Sequence, residues 1–222
     1  MKYLSLLLAA ALAWLVVCHP LPAGASAQDD LRAGYAAAKL GDAKTALKRL
    51  NRAIASGRLS DRELVMAYAL RGDSHARRRD FAKALADYNR AIQVAADSRI
   101  PRAQKAQLYA NRGLLYQRKG NYHRAIRDYN RALKYNPAFA TAYYRRGNAW
   151  RLERKFRRAV ADYTTALRYR QHHKYYYHRS QAYSRLGRLD LAVADMKEAL
   201  RLKPDSRQYR SRLGYLESLL RR

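Results

Sequence analysis

The sequence predicts an all-α array of antiparallel helix hairpins, five of them followed by one closing helix, and three columns of small residues predict it. Gly34, Gly72, Gly113 and Gly147 lie 38, 41 and 34 residues apart, and Ser180 continues the column 33 residues further on. Ala46, Ala84, Ala125, Ala159 and Ala192 step by the same intervals, as do Ala53, Ala91, Ala132, Ala166 and Ala199. Self-similarity at a period in the thirties marks stacked helical hairpins. The two alanines of each unit are seven residues apart, two helical turns, so they share one face of the unit's second helix and let another helix approach closely.

Residues 1–27 stand outside the array. MKYLSLLLAAALAWLVVCHPLPAGASA has one early lysine, an apolar run from Leu4 to Val17 and a small-residue end. That is the layout of a secretory signal peptide, with a cut expected after Ala27. The run is shorter than the ~20 residues a membrane-crossing helix needs, although an uncleaved anchor is the competing reading. Leu15-Val16-Val17-Cys18 resembles a bacterial lipobox, but valine stands where that motif wants a small residue. Removing residues 1–27 takes away one lysine and no acid, so the net charge falls from +29 to +28, and the only cysteine is lost. The mature chain then has neither disulfides nor thiol chemistry and depends on packing.

The units follow at about 27–60, 65–98, 106–139, 140–172 and 173–206, with residues 207–222 as the closing helix. In each second helix the position between the alanines is Leu50, Tyr88, Tyr129, Tyr163 or Met196, which completes an apolar stripe at helical spacing. The first helices carry rings on either side of the glycine column, Tyr68, Tyr109, Tyr143 and Tyr176 before it and His75, Tyr116, Trp150 and Tyr183 after it. Leu40-Gly41-Asp42, Lys119-Gly120-Asn121 and Leu186-Gly187-Arg188 are turn signals between paired helices. Pro137 and Pro204 close units three and five. The four and seven extra residues that separate units one, two and three are expected in loops that let the neighbouring first helices start early, with Pro101 suited to the first turn of a new helix. Leu213, Leu216, Leu219 and Leu220 equip the last helix to cover the array's final apolar face.

A charged pattern runs through the same frame. Asp87, Asp128, Asp162 and Asp195 form one column, and Arg71, Arg112, Arg146 and Arg179 stand sixteen residues before them. Unit one has Ala33 and Arg49 at these positions, so both members are absent together. This predicts four ion pairs tying the first helix of a hairpin to its second. Exposed, each is worth ~0 to 1 kcal/mol; partly buried and bidentate, its disruption costs more.

The stretch YANRGLLYQRKGNYHRAIRDYNRALKYNP, Tyr109 to Pro137, fills nearly every signature position of the tetratricopeptide repeat, and the chain resembles that family across all five units. The resemblance implies a right-handed superhelical solenoid whose inner groove is lined mainly by first helices. It also implies a non-enzymatic scaffold that binds a peptide segment or partner protein there. Family groove positions fall on Arg32, Tyr35, Asn111, Leu114, Tyr144, Arg145, Asn148, Lys174, Tyr177, His178 and Gln181, richest in units four and five. Arg145, Asn148, Lys174 and Gln181 are suited to a peptide backbone or carboxylate, and Tyr144 and Tyr177 to stacking. The subtype that grips chaperone tails is matched only at Asn111 and Arg145, with Ala69, Asp73 and Thr141 at its other positions, which disfavours that ligand.

The charge offers a second reading, an electrostatic binder of anionic envelope polymers or of a membrane surface. An acidic partner fits it equally, whereas export disfavours nucleic acid. Chemistry finds no foothold: no paired-carboxylate, phosphate-loop or serine-elbow pattern appears. His172, His173 and His178 are not spaced for one helix face, so no metal or cofactor is expected. The expectation is a periplasmic or secreted protein.

Overall fold

The computed structural model describes residues 26–221, which form eleven α-helices and no strand. The hairpins are α1 (Ala27–Leu40) with α2 (Ala43–Ala55), α3 (Asp61–Arg77) with α4 (Phe81–Asp97), α5 (Arg102–Arg118) with α6 (Tyr122–Tyr135), α7 (Ala140–Leu152) with α8 (Phe156–Tyr169), and α9 (His173–Arg185) with α10 (Leu189–Leu202). The closing helix is α11 (Arg207–Leu220). Each helix packs on the next in sequence, and first helices of neighbouring units also touch (α1 on α3, α5 on α7, α7 on α9), which makes them one wall of the solenoid.

The small-residue columns are the core. The ten alanines of the two columns are fully buried, together with Leu50, Tyr88, Tyr129, Tyr163 and Met196 between them. The glycine column exists because the central side chain of the second helix lies flat on it. A Cβ on Gly147 would sit 2.8 Å from Tyr163 Cε1, and one on Gly113 would sit 2.9 Å from Tyr129 Cε1. Where the central residue is the flexible Met196, a serine fits instead, and Ser180 Oγ donates to the Ala192 carbonyl at 2.8 Å.

Helix boundaries follow local chemistry. Asp42, Asp80 and Asn121 cap second helices by accepting from backbone N–H groups three residues on. Ser60 with Glu63 forms a capping box at the start of α3. The turns between paired helices pass through the left-handed region at Gly41, Gly120 and Gly187, with φ of 84°, 76° and 73°. At the equivalent points of units two and four stand arginines, Arg79 at 64° and Arg154 at 60°. A side chain there costs about 1–2 kcal/mol relative to the right-handed helix.

One expectation needs correction. The extra residues between units one, two and three are mostly helix: α3, α4 and α5 have 17 residues each, against 13 or 14 in the other hairpin helices. Ser60 and Pro101 start α3 and α5 a turn early. The signal-peptide reading of residues 1–27 falls outside the described residues except at its end. There Ser26 and Asp29 form a capping box and Ala27 is buried in the first turn of α1, so a cut after Ala27 would strip the helix of its cap. The closing helix covers α10 with buried Tyr209 and Leu216 and half-buried Leu213, while Leu220 is exposed. Among the described residues no helix is long and apolar enough to cross a membrane.

Candidate functional site

The charged columns meet as arginine-centred clamps. Arg112 donates from Nε to Asp128 Oδ2 at 2.8 Å and from Nη2 to Oδ1 at 2.7 Å. Arg146 with Asp162 and Arg179 with Asp195 repeat the same two distances, and Arg71 grips Asp87 similarly. All four carboxylates are buried. The remaining guanidinium nitrogen, Nη1, donates to the preceding unit: Arg71 to Asn51, Arg112 to Asn89, Arg146 to Asn130 and Arg179 to Thr164, at 2.7 to 2.9 Å. The tyrosine three residues earlier lies under each guanidinium, 5.3 to 5.6 Å from its ring centre. Each clamp thus joins three helices of two units.

Unit one is a correction to the reading that it lacks the pair. Arg49, in the aspartate column, donates from Nη1 to Asp30 Oδ1 of α1 at 2.9 Å, and Asp30 is buried. The polarity is reversed and the separation becomes 19 residues instead of 16, so column alignment finds Ala33 where the partner is Asp30.

Apart from Arg32 and Tyr35 of unit one, which line a separate hollow with Glu63 and Met66, the groove positions divide into two groups. Around the middle of the array, Asn111 is a junction: its Nδ2 donates to Tyr88 Oη at 3.1 Å, and its Oδ1 accepts from Gln107 at 2.8 Å and from Arg145 Nη1 at 3.3 Å. Tyr88 Oη, at the end of a fully buried ring, donates to Asp73 Oδ1 at 2.5 Å. Asp73 and Asn111 line a cavity of about 390 Å³ with Arg77, Leu114, Arg118 and Arg145. None of the three arginines forms an ion pair among the described residues, and the cavity's one carboxylate is Asp73. Arg77 and Arg118 were not among the expected groove residues. Their signal is a basic column five residues after the glycine column, shared with Lys39 and Arg185.

In units four and five the expected binding residues are largely committed to packing. Tyr144 stacks on Tyr175 with ring centres 4.6 Å apart and tilts against Tyr163 and His178. Tyr177 stacks on Tyr209 of the closing helix at 4.9 Å. Asn148 accepts from Tyr163 Oη at 2.7 Å. His178 pairs with Gln181 through Nδ1 at 3.2 Å, and burial against these rings, with Arg151 nearby, pushes its imidazole down to about 4. Tyr144 and Tyr177 are half-buried, and each already has one ring stacked on it, Tyr175 brought by α9 and Tyr209 brought by α11. Lys174 is exposed. Among the described residues, no group of three or more His, Cys, Asp or Glu side chains is placed to hold a metal.

This geometry can be set beside known proteins. The tetratricopeptide repeat pattern matches residues 31–107, 106–139 and 173–206 in three separate profiles. The chain belongs to the tetratricopeptide repeat family. Its array resembles the crystal structure of MamA protein with a TM-score of 0.67 and 19% identity, over 84% of this chain and 96% of that one. BtubC (BKLC) from P. vanneervenii is similar at a TM-score of 0.70 and 19% identity, over 77% of each chain. The first tetratricopeptide domain of Spaghetti (RPAP3), bound to the HSP90 peptide SRMEEVD, is 26% identical with a TM-score of 0.52, over 54% of this chain and 98% of that one. Among curated protein sequences nothing matches the chain.

Proposed function

We propose that this tetratricopeptide array is a non-enzymatic interaction scaffold that receives an acidic peptide segment of a partner protein in the cavity walled by α3, α5 and α7. One observation carries the reading: Arg77, Arg118 and Arg145 converge there without ion-pair partners among the described residues, against a single carboxylate, Asp73. Arginine forks bind carboxylates in two-point fashion, and Asn111 beside them offers an amide at the groove wall. Tetratricopeptide relatives make peptide binding the natural use of such a groove, as the peptide-bound RPAP3 domain illustrates.

The assay is fluorescence anisotropy with a labelled octapeptide of alternating glutamate and alanine. The reading expects saturable binding that weakens at least tenfold in Arg118→Ala/Arg145→Ala. A glutamine version of the peptide that binds equally well, or a double variant that binds like the parent, overturns it.

The site of action belongs to the same proposal. Residues 1–25 have the composition of an export signal, and the scaffold then works in the periplasm or outside the cell. The cut belongs after Ala25, not Ala27: Ala23-Gly24-Ala25 presents the same small-residue pattern, and this cut leaves the Ser26 cap on α1.

A further inference from the structure

The turns between paired helices form one edge of the solenoid, and their composition is not that of ordinary turns. Neighbouring turns adjoin one another. Gly41 of unit one, Arg77 and Arg79 of unit two and Arg118 of unit three line one cleft, and Lys119 and His123 of unit three face Glu153 and Lys155 of unit four across another. The acids of this edge are already engaged. Asp42 and Asp80 cap helices, and Glu153 contacts Lys155 at 2.8 Å and His123 at 3.2 Å. Arg78, Arg79, Lys119, Arg154 and Arg157 form no ion pair among the described residues, and all are exposed.

Two further observations separate this edge from a merely solvated one. Arg79 and Arg154 occupy left-handed backbone positions where units one, three and five have glycine, so a guanidinium is retained at each in spite of strain. Leu40 projects from the same edge 87% exposed, the most exposed large apolar side chain of the array, and Leu152, beside the turn of unit four, is 42% exposed. Cations flanking a protruding leucine suit a surface with phosphate outside and hydrocarbon beneath it. A soluble polyanion offers nothing to Leu40.

We infer that the turn edge is a peripheral docking surface for an anionic lipid bilayer, with Leu40 entering the interface and the two clefts receiving headgroup phosphates. Arg77 and Arg118 line both the groove cavity and the first cleft, but the inference rests on Arg78, Arg79, Lys119, Arg154 and Leu40, none of which lines that cavity. Docked in this way, the array would hold its groove beside the membrane, available to a partner.

The test is co-sedimentation of residues 26–222 with phosphatidylcholine vesicles containing or lacking one quarter phosphatidylglycerol. Binding is expected only to the anionic vesicles and is expected to weaken as salt rises. The variant Arg78→Gln/Arg79→Gly/Lys119→Gln/Arg154→Gly removes four cations while giving two turns the glycine of their neighbours. At roughly a factor of five per charge, its affinity falls by more than a hundredfold. Leu40→Cys carrying an environment-sensitive dye is expected to shift its emission to the blue on anionic vesicles. Sedimentation without a dye shift, affinity unchanged in the fourfold variant, or equally tight binding to polyphosphate that Leu40→Ser leaves intact, would each overturn the inference. Circular dichroism of the variants separates loss of docking from loss of fold, and the groove peptide assay remains a separate readout.

Discussion

Replacing Asp128 by alanine probes the clamp at the centre of the array. The change leaves Arg112 with Nε and Nη2 facing a vacated site, while Nη1 keeps Asn89. The guanidinium side chain is only 13% exposed, so water restores little of what it loses. Breaking a buried pair from one side costs ~3–5 kcal/mol. The retained Asn89 bond and the ring of Tyr109 place this case near the lower end, about 3 kcal/mol. For a chain of this size that corresponds to a melting temperature lower by roughly 6–12 °C. The control is Asp190→Ala, whose carboxylate is 62% exposed and only 3.7 Å from Arg188; its cost is expected within ~0.5 kcal/mol. Asp73 is unsuitable as a control because Tyr88 donates to it. The decisive variant is Arg112→Met/Asp128→Ala. Removing both charges leaves no stranded cation, so stability returns by half or more. Urea titration followed by circular dichroism at 222 nm measures all three. If Asp128→Ala unfolds at the same urea concentration as Asp190→Ala, or the double variant is weaker than the single, the clamp does not act as described.

Three more outcomes are expected. The imidazole of His178 takes up a proton near 6.5 in the unfolded chain but only near 4 in the fold. The unfolded state therefore binds more protons between these values, and stability present above pH ~6.5 is lost progressively down to pH ~4, by about 2 kcal/mol at pH 5. His178→Phe should flatten that part of a stability profile, whereas an unchanged profile would place the acid sensitivity elsewhere. Relieving left-handed strain, Arg79→Gly should raise stability by about 0.5–1 kcal/mol in urea titration after the entropy cost of glycine is deducted; a decrease would mean that the arginine side chain makes a stabilising contact. Intact-mass analysis of the exported chain should give Ser26 as the first residue, and a product beginning at Gln28 would contradict the capping argument.

Much of the fold was legible because the constraints are steric and periodic. Gly113 must be small beneath Tyr129, and the alanines seven apart must be small where helices meet, so both columns survive in the sequence as exact spacings. The clamp of Arg112 and Asp128 was legible for the same reason. Its counterpart in unit one was not: a long side chain on the second helix seeks its acid three residues away from the column, at Asp30. The groove was harder to read. Tyr144 and Tyr177 stand at family groove positions, but their exposure depends on Tyr175 and Tyr209, which come from other helices and obey no column. Arg77 and Arg118 were missed because only their basic recurrence marks them. Arg79 and Arg154 break the glycine pattern of the turns, and the backbone angles give that departure its meaning.

The third nitrogen of each clamp has a mechanical consequence. Asn51, Asn89, Asn130 and Thr164 receive it across the joint between successive units, on the same guanidinium that fixes the hairpin behind it. Rotating one hairpin against the next would pull that guanidinium away from a buried carboxylate or from its neighbour's acceptor. The solenoid is therefore pinned at every joint, like a leaf spring riveted between its plates. On the proposed reading, a partner entering the groove would meet a preset curvature, and selection among partners would fall on those whose shape already matches it.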